Sequence, residues 1–286
     1  MRKTEKMVVV KDRKIKERYH VDTGFFEDGL PYARIGTKPN IIVNIDALSF
    51  NHAPPSGFML KQFIKSSSLF TGDYTVYLVG RRPNLPEDYL MDKMANDYAE
   101  MIRREFNKPV DIMGVSTGGQ ISLYLAADHP DTVRNLVIIS AAYRLSENGV
   151  EVERRAAEDF RQGKYGTSMA GLMDFIYPPG FKRRLVKFLI RLIGKRMIGT
   201  IAYPNDFLVE VQADREMNFK DRLAEIQART LILSGELDIA YSVDDVRKTA
   251  EGIPNAELIL YKGYGHNLAM SHWKRIQNEI LKFLNP

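Results

Sequence analysis

Ser116 stands in the run Gly114-Val115-Ser116-Thr117-Gly118-Gly119, where an apolar stretch stops and a new patterned stretch begins. A Ser on a sharp strand-to-helix turn presents its hydroxyl to a cleft, and the first N–H groups of the following helix point towards it. Glycines on either side let the chain turn and let the two elements approach. A Ser hydroxyl is a weak nucleophile at neutral pH. It needs a base beside it, and the base needs a carboxylate to orient it.

The chain has five histidines. His20 lies in the N-terminal strand region, His129 precedes Pro130 at a helix end, and His272 opens the last helix. His52 falls in the loop after the strand Ile41 to Ile45. His266 follows the apolar run "LILYKGYG", in a Gly-rich loop directly after a strand. In a parallel sheet, loops after strands gather on one side, so His266 and Ser116 share that side. The acid should also follow a strand, and "TLILSGELD" offers Glu236 and Asp238. Asp238 lies further into the loop and is the choice; Glu236 is the alternative, and helix capping is the plain reading of Asp238.

The elements that must position these residues are legible in outline. Apolar strands at Ile41–Ile45, Tyr74–Val79, "PVDIMGVS" and "VRNLVIISAAY" alternate with helical patterns such as "MDKMANDYAEMIRREFN". Near-continuous apolar strands of this kind belong to a parallel sheet covered on both faces. The alternation breaks from about 146 to 226, where the text is helical and charged, and returns at "TLILSGELD". An irregular loop of that length is implausible, so the break is expected to be a helical insertion.

On these residues the sequence resembles the α/β-hydrolase superfamily, over about 21–145 and 229–284. "GVSTGG" matches the nucleophile elbow, "GELD" the acid turn and "GYGH" the histidine loop. The resemblance implies an α/β fold: a mostly parallel, doubly wound sheet of the eight-stranded type, with core segments 1–145 and 227–286 and a helical cap at 146–226. It implies a catalytic triad of Ser116, Asp238 and His266. Many relatives carry His-Gly after the third strand, ahead of an oxyanion donor. Here Asp46-Ala47 stands instead, which makes the backbone N–H of Leu48 the donor, with Ala47 the neighbouring alternative. Thr117 N–H is the second donor. "GRRPNL" occupies the place of a D-x-R-G-x-G motif; Arg82 matches its Arg, while Gly80 and Pro83 depart from it. His52 and Arg82 are candidate substrate contacts, against plainer readings as a loop histidine and a structural arginine.

The activity so implied is hydrolysis of a carboxylic ester or related acyl bond through an acyl-enzyme, on a small acyl substrate and with no cofactor and no metal. Thioesterases, acyltransferases and carbon–carbon bond hydrolases of the superfamily use the same triad. A reading of another class is a hydrolase-fold protein that binds a ligand or lipid surface without turnover.

Composition narrows the rest. With 286 residues, 44% hydrophobic and 27% charged, the chain is ordinary globular protein. It contains no Cys, which excludes disulfides and thiolate zinc sites. The basic N-terminus lacks the apolar run of a signal peptide, so a cytoplasmic protein is expected. The net charge of +5 is modest, and no helix-turn-helix spacing, zinc knuckle or aromatic RNA-binding signature accompanies it; nucleic acid is not an expected partner. In "FKRRLVKFLIRLIGKRM", Arg183, Lys187, Arg191 and Lys195 fall on one side of a helical wheel. Leu185, Phe188, Leu189, Leu192 and Ile193 fall on the other. The favoured reading is a cap helix whose apolar face covers the site; the second lays the helix on an anionic membrane or has it capture a lipid substrate.

Overall fold

The computed structural model describes residues 12–285. Its centre is a sheet of eight strands: β1 (Val21–Phe25), β2 (Pro31–Ile35), β3 (Asn40–Ile45), β4 (Tyr74–Val79), β5 (Val110–Val115), β6 (Val133–Ile139), β7 (Arg229–Gly235) and β8 (Ala256–Tyr261). Their order is β1-β2-β4-β3-β5-β6-β7-β8. The pairs β1–β2 and β2–β4 are antiparallel, and every later pair is parallel. The expected doubly wound, mostly parallel sheet is therefore present. Two hydrophobic clusters fill its two faces, and alternation along each strand supplies both. Ile112 of β5 joins one cluster and Met113 the other; Ile232 of β7 joins the first, Leu231 and Leu233 the second.

Helices cover these faces. The first cluster packs under α2 (Met91–Phe106) and α3 (Thr117–Asp128), the second under α1 (Gly57–Ser67). In α2, Met94, Tyr98, Met101 and Ile102 repeat at helical spacing and are all fully buried. Four helices follow β6 before the sheet resumes: α4 (Glu147–Arg161), α5 (Tyr165–Ile176), α6 (Phe181–Ile198) and α7 (Asn205–Glu216). This is the helical insert. The chain closes with α8 (Val243–Gly252), the short α9 (Leu268–Ser271) and α10 (Trp273–Leu284). In α10, Ile276, Ile280, Phe283 and Leu284 bury one stripe on the second face.

One expectation is narrowed and one corrected. The basic N-terminal arm reads from the sequence as a solvated segment or an extra edge strand, and its residues 12–19 are helical; the arm's first eleven residues lie outside the described ones. The apolar side of α6 does not cover the body of the protein. Phe181, Phe188 and Leu192 are 75%, 56% and 67% exposed. The inward side is formed instead by Gly194, packed on Gly166, by the half-buried Val186 and Ile190, and by Arg183 and Lys187, which turn towards Asp174 of α5. Lys187 Nζ lies 2.7 Å from that carboxylate. One acid on the neighbouring helix turns two of the seven cations inward.

Candidate active site

Strand β5 passes into α3 at Ser116, whose φ of 55° and ψ of −124° lie outside the regions favoured by L-residues. Such a backbone persists only where its surroundings over-determine it. Here the Ser116 N–H donates to the Ile139 carbonyl at 3.0 Å, and the Ser116 carbonyl accepts from the Gly119 N–H at 2.8 Å. Gly118 brings the start of α3 hard against the end of β3. A Cβ there would sit 2.2 Å from the Ile45 oxygen and 2.7 Å from that of Asp46. Only hydrogen fits, so the elbow and the Asp46-to-His52 loop are neighbours by necessity.

A second close approach joins the acid and histidine loops. A Cβ on Gly235 would lie 2.3 Å from the Tyr264 oxygen, and Leu237 N–H donates to that same oxygen at 2.8 Å. Across this seam His266 Nδ1 meets Asp238 Oδ2 at 2.9 Å. The Asp238 side chain is fully buried. Its other oxygen accepts from the N–H groups of Ala240 and Tyr241, at 2.8 and 3.2 Å. Helix α8 is capped by Ser242, not Asp238: Ser242 Oγ accepts from Asp245 N–H at 3.1 Å. Glu236 stays in the turn, with its N–H on the Tyr261 carbonyl at 3.1 Å. Ser116, Asp238 and His266 each follow a parallel strand, β5, β7 and β8, and so stand at one edge of the sheet.

The loop after β3 shows which N–H groups are free. Ala47 N–H donates to Asp46 Oδ1 at 2.9 Å, and Ser49 N–H to Glu210 Oε2 at 2.9 Å. Among the described residues Leu48 N–H has no acceptor, and neither has Thr117 N–H, which opens α3 ahead of any intrahelical partner. The Leu48 side chain packs into a small apolar cluster of the insert with Phe160, Phe207 and Val211.

Helix α7 holds this arrangement from above. Asp206, Glu210 and Asp214 recur every fourth residue and are all buried, one face of the helix. Asp206 accepts from the N–H groups of Asn84 and Leu85, at 3.0 and 2.8 Å. Glu210 pairs with the Arg81 guanidinium, and Arg81 in turn donates to the carbonyls of Asp46 and Ala47. Asp214 accepts the Thr117 hydroxyl at 2.6 Å. Burial would raise the Glu210 carboxyl, but Arg81 and His52 bring it down to about 2. Asp214 has no such cation in contact; burial, opposed by the Thr117 hydrogen bond, pushes it up to about 7. Glu153 of α4 is also raised well above the usual range, by burial and then by the charges of Asp214 and Glu210. Tyr241 completes the group: it lies against Ser116, with its ring centroid 5.8 Å from that of His266. Phe175 of α5 covers the same imidazole at 5.5 Å.

The two proposed substrate contacts are engaged elsewhere. His52 is buried; its Nε2 lies 2.7 Å from Glu210 Oε1 and its Nδ1 2.9 Å from the Arg82 carbonyl. Arg82 is exposed, with Nη1 3.5 Å from Asp97. The buried arginine is its neighbour Arg81, one position from the residue aligned with the family motif. Arg81 was weighed beside Arg82 only as a contact for an anionic substrate, and Glu210 and Asp214 were not candidates in the sequence. Their signal was the acid at every fourth position of "NDFLVEVQADRE", a spacing that also describes a solvated helix face.

Comparison with known proteins agrees with this architecture. The family model described as alpha/beta hydrolase fold matches residues 78–272, and the chain belongs to that family. It is 25% identical over 218 residues to a bifunctional esterase/perhydrolase of Acinetobacter calcoaceticus, covering 72% of this chain and 78% of that one. It is 33% identical over 91 residues to a pimeloyl-[acyl-carrier protein] methyl ester esterase of Neisseria meningitidis, a match spanning 32% of each chain. A hydrolase from Pseudomonas aeruginosa superposes with a TM-score of 0.74 at 18% identity, covering 93% of this chain and 98% of that one. Among the described residues no helix is long and apolar enough to cross a membrane.

Proposed function

We propose that this chain is a serine hydrolase of carboxylic esters, with Ser116 as nucleophile, His266 as base and Asp238 as the orienting acid. The observation that carries the reading is the 2.9 Å contact between His266 Nδ1 and a fully buried Asp238 carboxylate, at the sheet edge where Ser116 heads α3. A carboxylate there fixes the imidazole with its Nδ1 proton inward and leaves Nε2 to take a proton. Ser116 Oγ attacks the acyl carbon as His266 Nε2 removes its proton. The tetrahedral oxyanion sits between Thr117 N–H and Leu48 N–H. His266 returns the proton to the leaving alcohol, then takes one from water as its oxygen attacks the acyl carbon, and gives that proton to Ser116 Oγ as the ester bond to Ser116 breaks and the carboxylic acid leaves.

The two N–H groups support this assignment because among the described residues they have no acceptor of their own. One oxyanion donor contributes about 2.7–4 kcal/mol to such a step. In this reading α4–α7 form a cap over the site, with Phe175 above His266 and α7 bracing both donor residues. His52 and Arg82 are then structural, and Arg81 acts through the loop it holds. Similarity to named esterases favours an ester over the thioester and carbon–carbon substrates used elsewhere on this triad.

A fluorophosphonate probe tests the proposal. The native protein should be labelled at Ser116, and a panel of esters of graded acyl length should be hydrolysed at rates that Ser116→Ala reduces to background. Absence of labelling under conditions where a known serine hydrolase reacts, or turnover that survives Ser116→Ala, overturns it.

A further inference from the structure

We infer that the outer face of α6 is a docking surface for an anionic lipid bilayer. Phe181, Leu185, Phe188 and Leu192 recur at intervals of four, three and four, so they form one ridge along the helix. They are 75%, 46%, 56% and 67% exposed. Large apolar side chains aligned on a surface in this way mark an interaction site.

The charges beside the ridge decide the partner. Helix α6 carries seven Lys and Arg and no Asp or Glu. Arg183 and Lys187 turn inward to Asp174. Arg184, Arg191 and Lys195 remain along one flank of the ridge, and Lys182 and Arg196 along the other. Among the described residues none of these five has a carboxylate partner. An apolar ridge bordered on both sides by unpaired cations fits the boundary between acyl chains and anionic headgroups. A second copy of this chain fits it poorly. A two-fold contact through α6 would bring together two faces that each carry five exposed cations and no acid. The helix does not span the bilayer: with seven cations it lies on the surface.

Docking is also mechanically simple. The inner side of α6 is tied to α5 through the Gly194–Gly166 approach and the Asp174 ion pair, so the ridge is displayed on a helix pair and not on a loop. Residue 175, next to Asp174, is the Phe whose ring covers His266. A surface-bound α6 therefore sets the covering of the site close to the lipid. This inference does not depend on esterase activity and is tested without it.

The test is sedimentation of the full chain with vesicles of phosphatidylcholine, alone or with phosphatidylglycerol. The chain should bind the anionic vesicles and not the neutral ones, with affinity falling as salt is raised. Arg184→Gln, Arg191→Gln and Lys195→Gln together should weaken binding about 100-fold, from roughly tenfold or less per cation removed. Phe188→Ser with Leu192→Ser should weaken it at least tenfold at unchanged salt. All five positions are exposed, and an unchanged melting temperature shows that the fold persists. Equal binding to neutral vesicles, no binding to either kind, or binding that survives both sets of substitutions overturns the inference. So does a concentration-dependent dimer that Phe188→Ser with Leu192→Ser converts to monomer, with no vesicle binding by the wild type.

Discussion

At the scale of single residues, Asp214 is the most informative group outside the proposed triad. Its carboxylate holds the Thr117 hydroxyl at 2.6 Å, and its other oxygen has no hydrogen-bond partner among the described residues. Burial places its titration near 7, above the ordinary carboxylate value of 3.8. The folded state then keeps a proton at this site that the unfolded chain has already lost. The stability linked to that proton is complete below about 3.8 and is lost as pH rises towards 7. Asp214→Asn removes this carboxyl's share of the linkage, the buried Glu153 keeping its own, while an amide oxygen can still accept the Thr117 hydroxyl. The melting temperature of wild type minus that of Asp214→Asn should therefore fall between pH 5 and pH 8 by several degrees. A difference that rises instead means the carboxylate is ionised and paired when folded. Ser116, Asp238 and His266 were legible as candidates because each follows an apolar strand. Asp214 was not, because a single Asp in a charged helix reads as solvated until the packing is known. Nor could the sequence tell Arg81 from Arg82: beyond the end of β4 the chain leaves strand alternation, and nothing local says which arginine turns inward.

At the scale of elements, α7 ties the insert to the sheet through buried polar contacts, and its energetics differ from those of an apolar joint. Glu210 stays ionised because Arg81 and His52 face it. The stabilisation this pair contributes is present above the ordinary glutamate value of 4.5 and is lost as pH falls through that value towards about 2. Glu210→Ala leaves the Arg81 charge buried without its partner and should destabilise the protein by about 3–5 kcal/mol. Arg81→Met with Glu210→Met removes both charges and should recover most of that loss, since apolar replacements of buried ion pairs are often neutral. Activity should not recover with it. Arg81 holds the carbonyls of Asp46 and Ala47, and Glu210 holds the Ser49 N–H, so the double variant leaves the proposed Leu48 donor loosely placed. Its kcat should be about 10²-fold below wild type with KM little changed, as for a donor displaced by about an ångström. Thermal melts and steady-state kinetics on the two variants separate the roles. A double variant with wild-type kcat removes Arg81 and Glu210 from the positioning of this loop. A helical insertion in this region was expected from the charged helical text, but neither the number of its helices nor the faces they bury was. Acids every four residues on α7 and cations on α6 are ordinary solvated patterns. Here Arg81 and Asp174 on neighbouring elements turn them inward.

At the scale of the whole molecule, the sheet was the most legible part, because strands apolar on both faces leave few alternatives to a covered parallel sheet. The relation between sheet and insert was hidden, since it rests on contacts between segments far apart in the chain. Phe50, from the loop after β3, stacks on Phe207 at 4.3 Å and on Phe160 at 5.7 Å. These are residues of α7 and α4, so the insert's own apolar cluster is completed by a ring from the sheet domain. Asp206 adds two hydrogen bonds from the loop after β4. An insert closed by borrowed residues should not unfold separately from the sheet, and the native chain should melt in one cooperative transition. Phe50→Ala cuts that coupling at its centre and, since Phe50 is half-buried, should lower stability by about 1–3 kcal/mol. The loss should be uneven. In native-state hydrogen exchange, amides of 147–216 should lose protection before those of β5, β6 and β7, whose burial does not involve Phe50. Uniform loss of protection across insert and sheet means that the two remain one cooperative unit without Phe50, with the α7 carboxylates sufficient to join them.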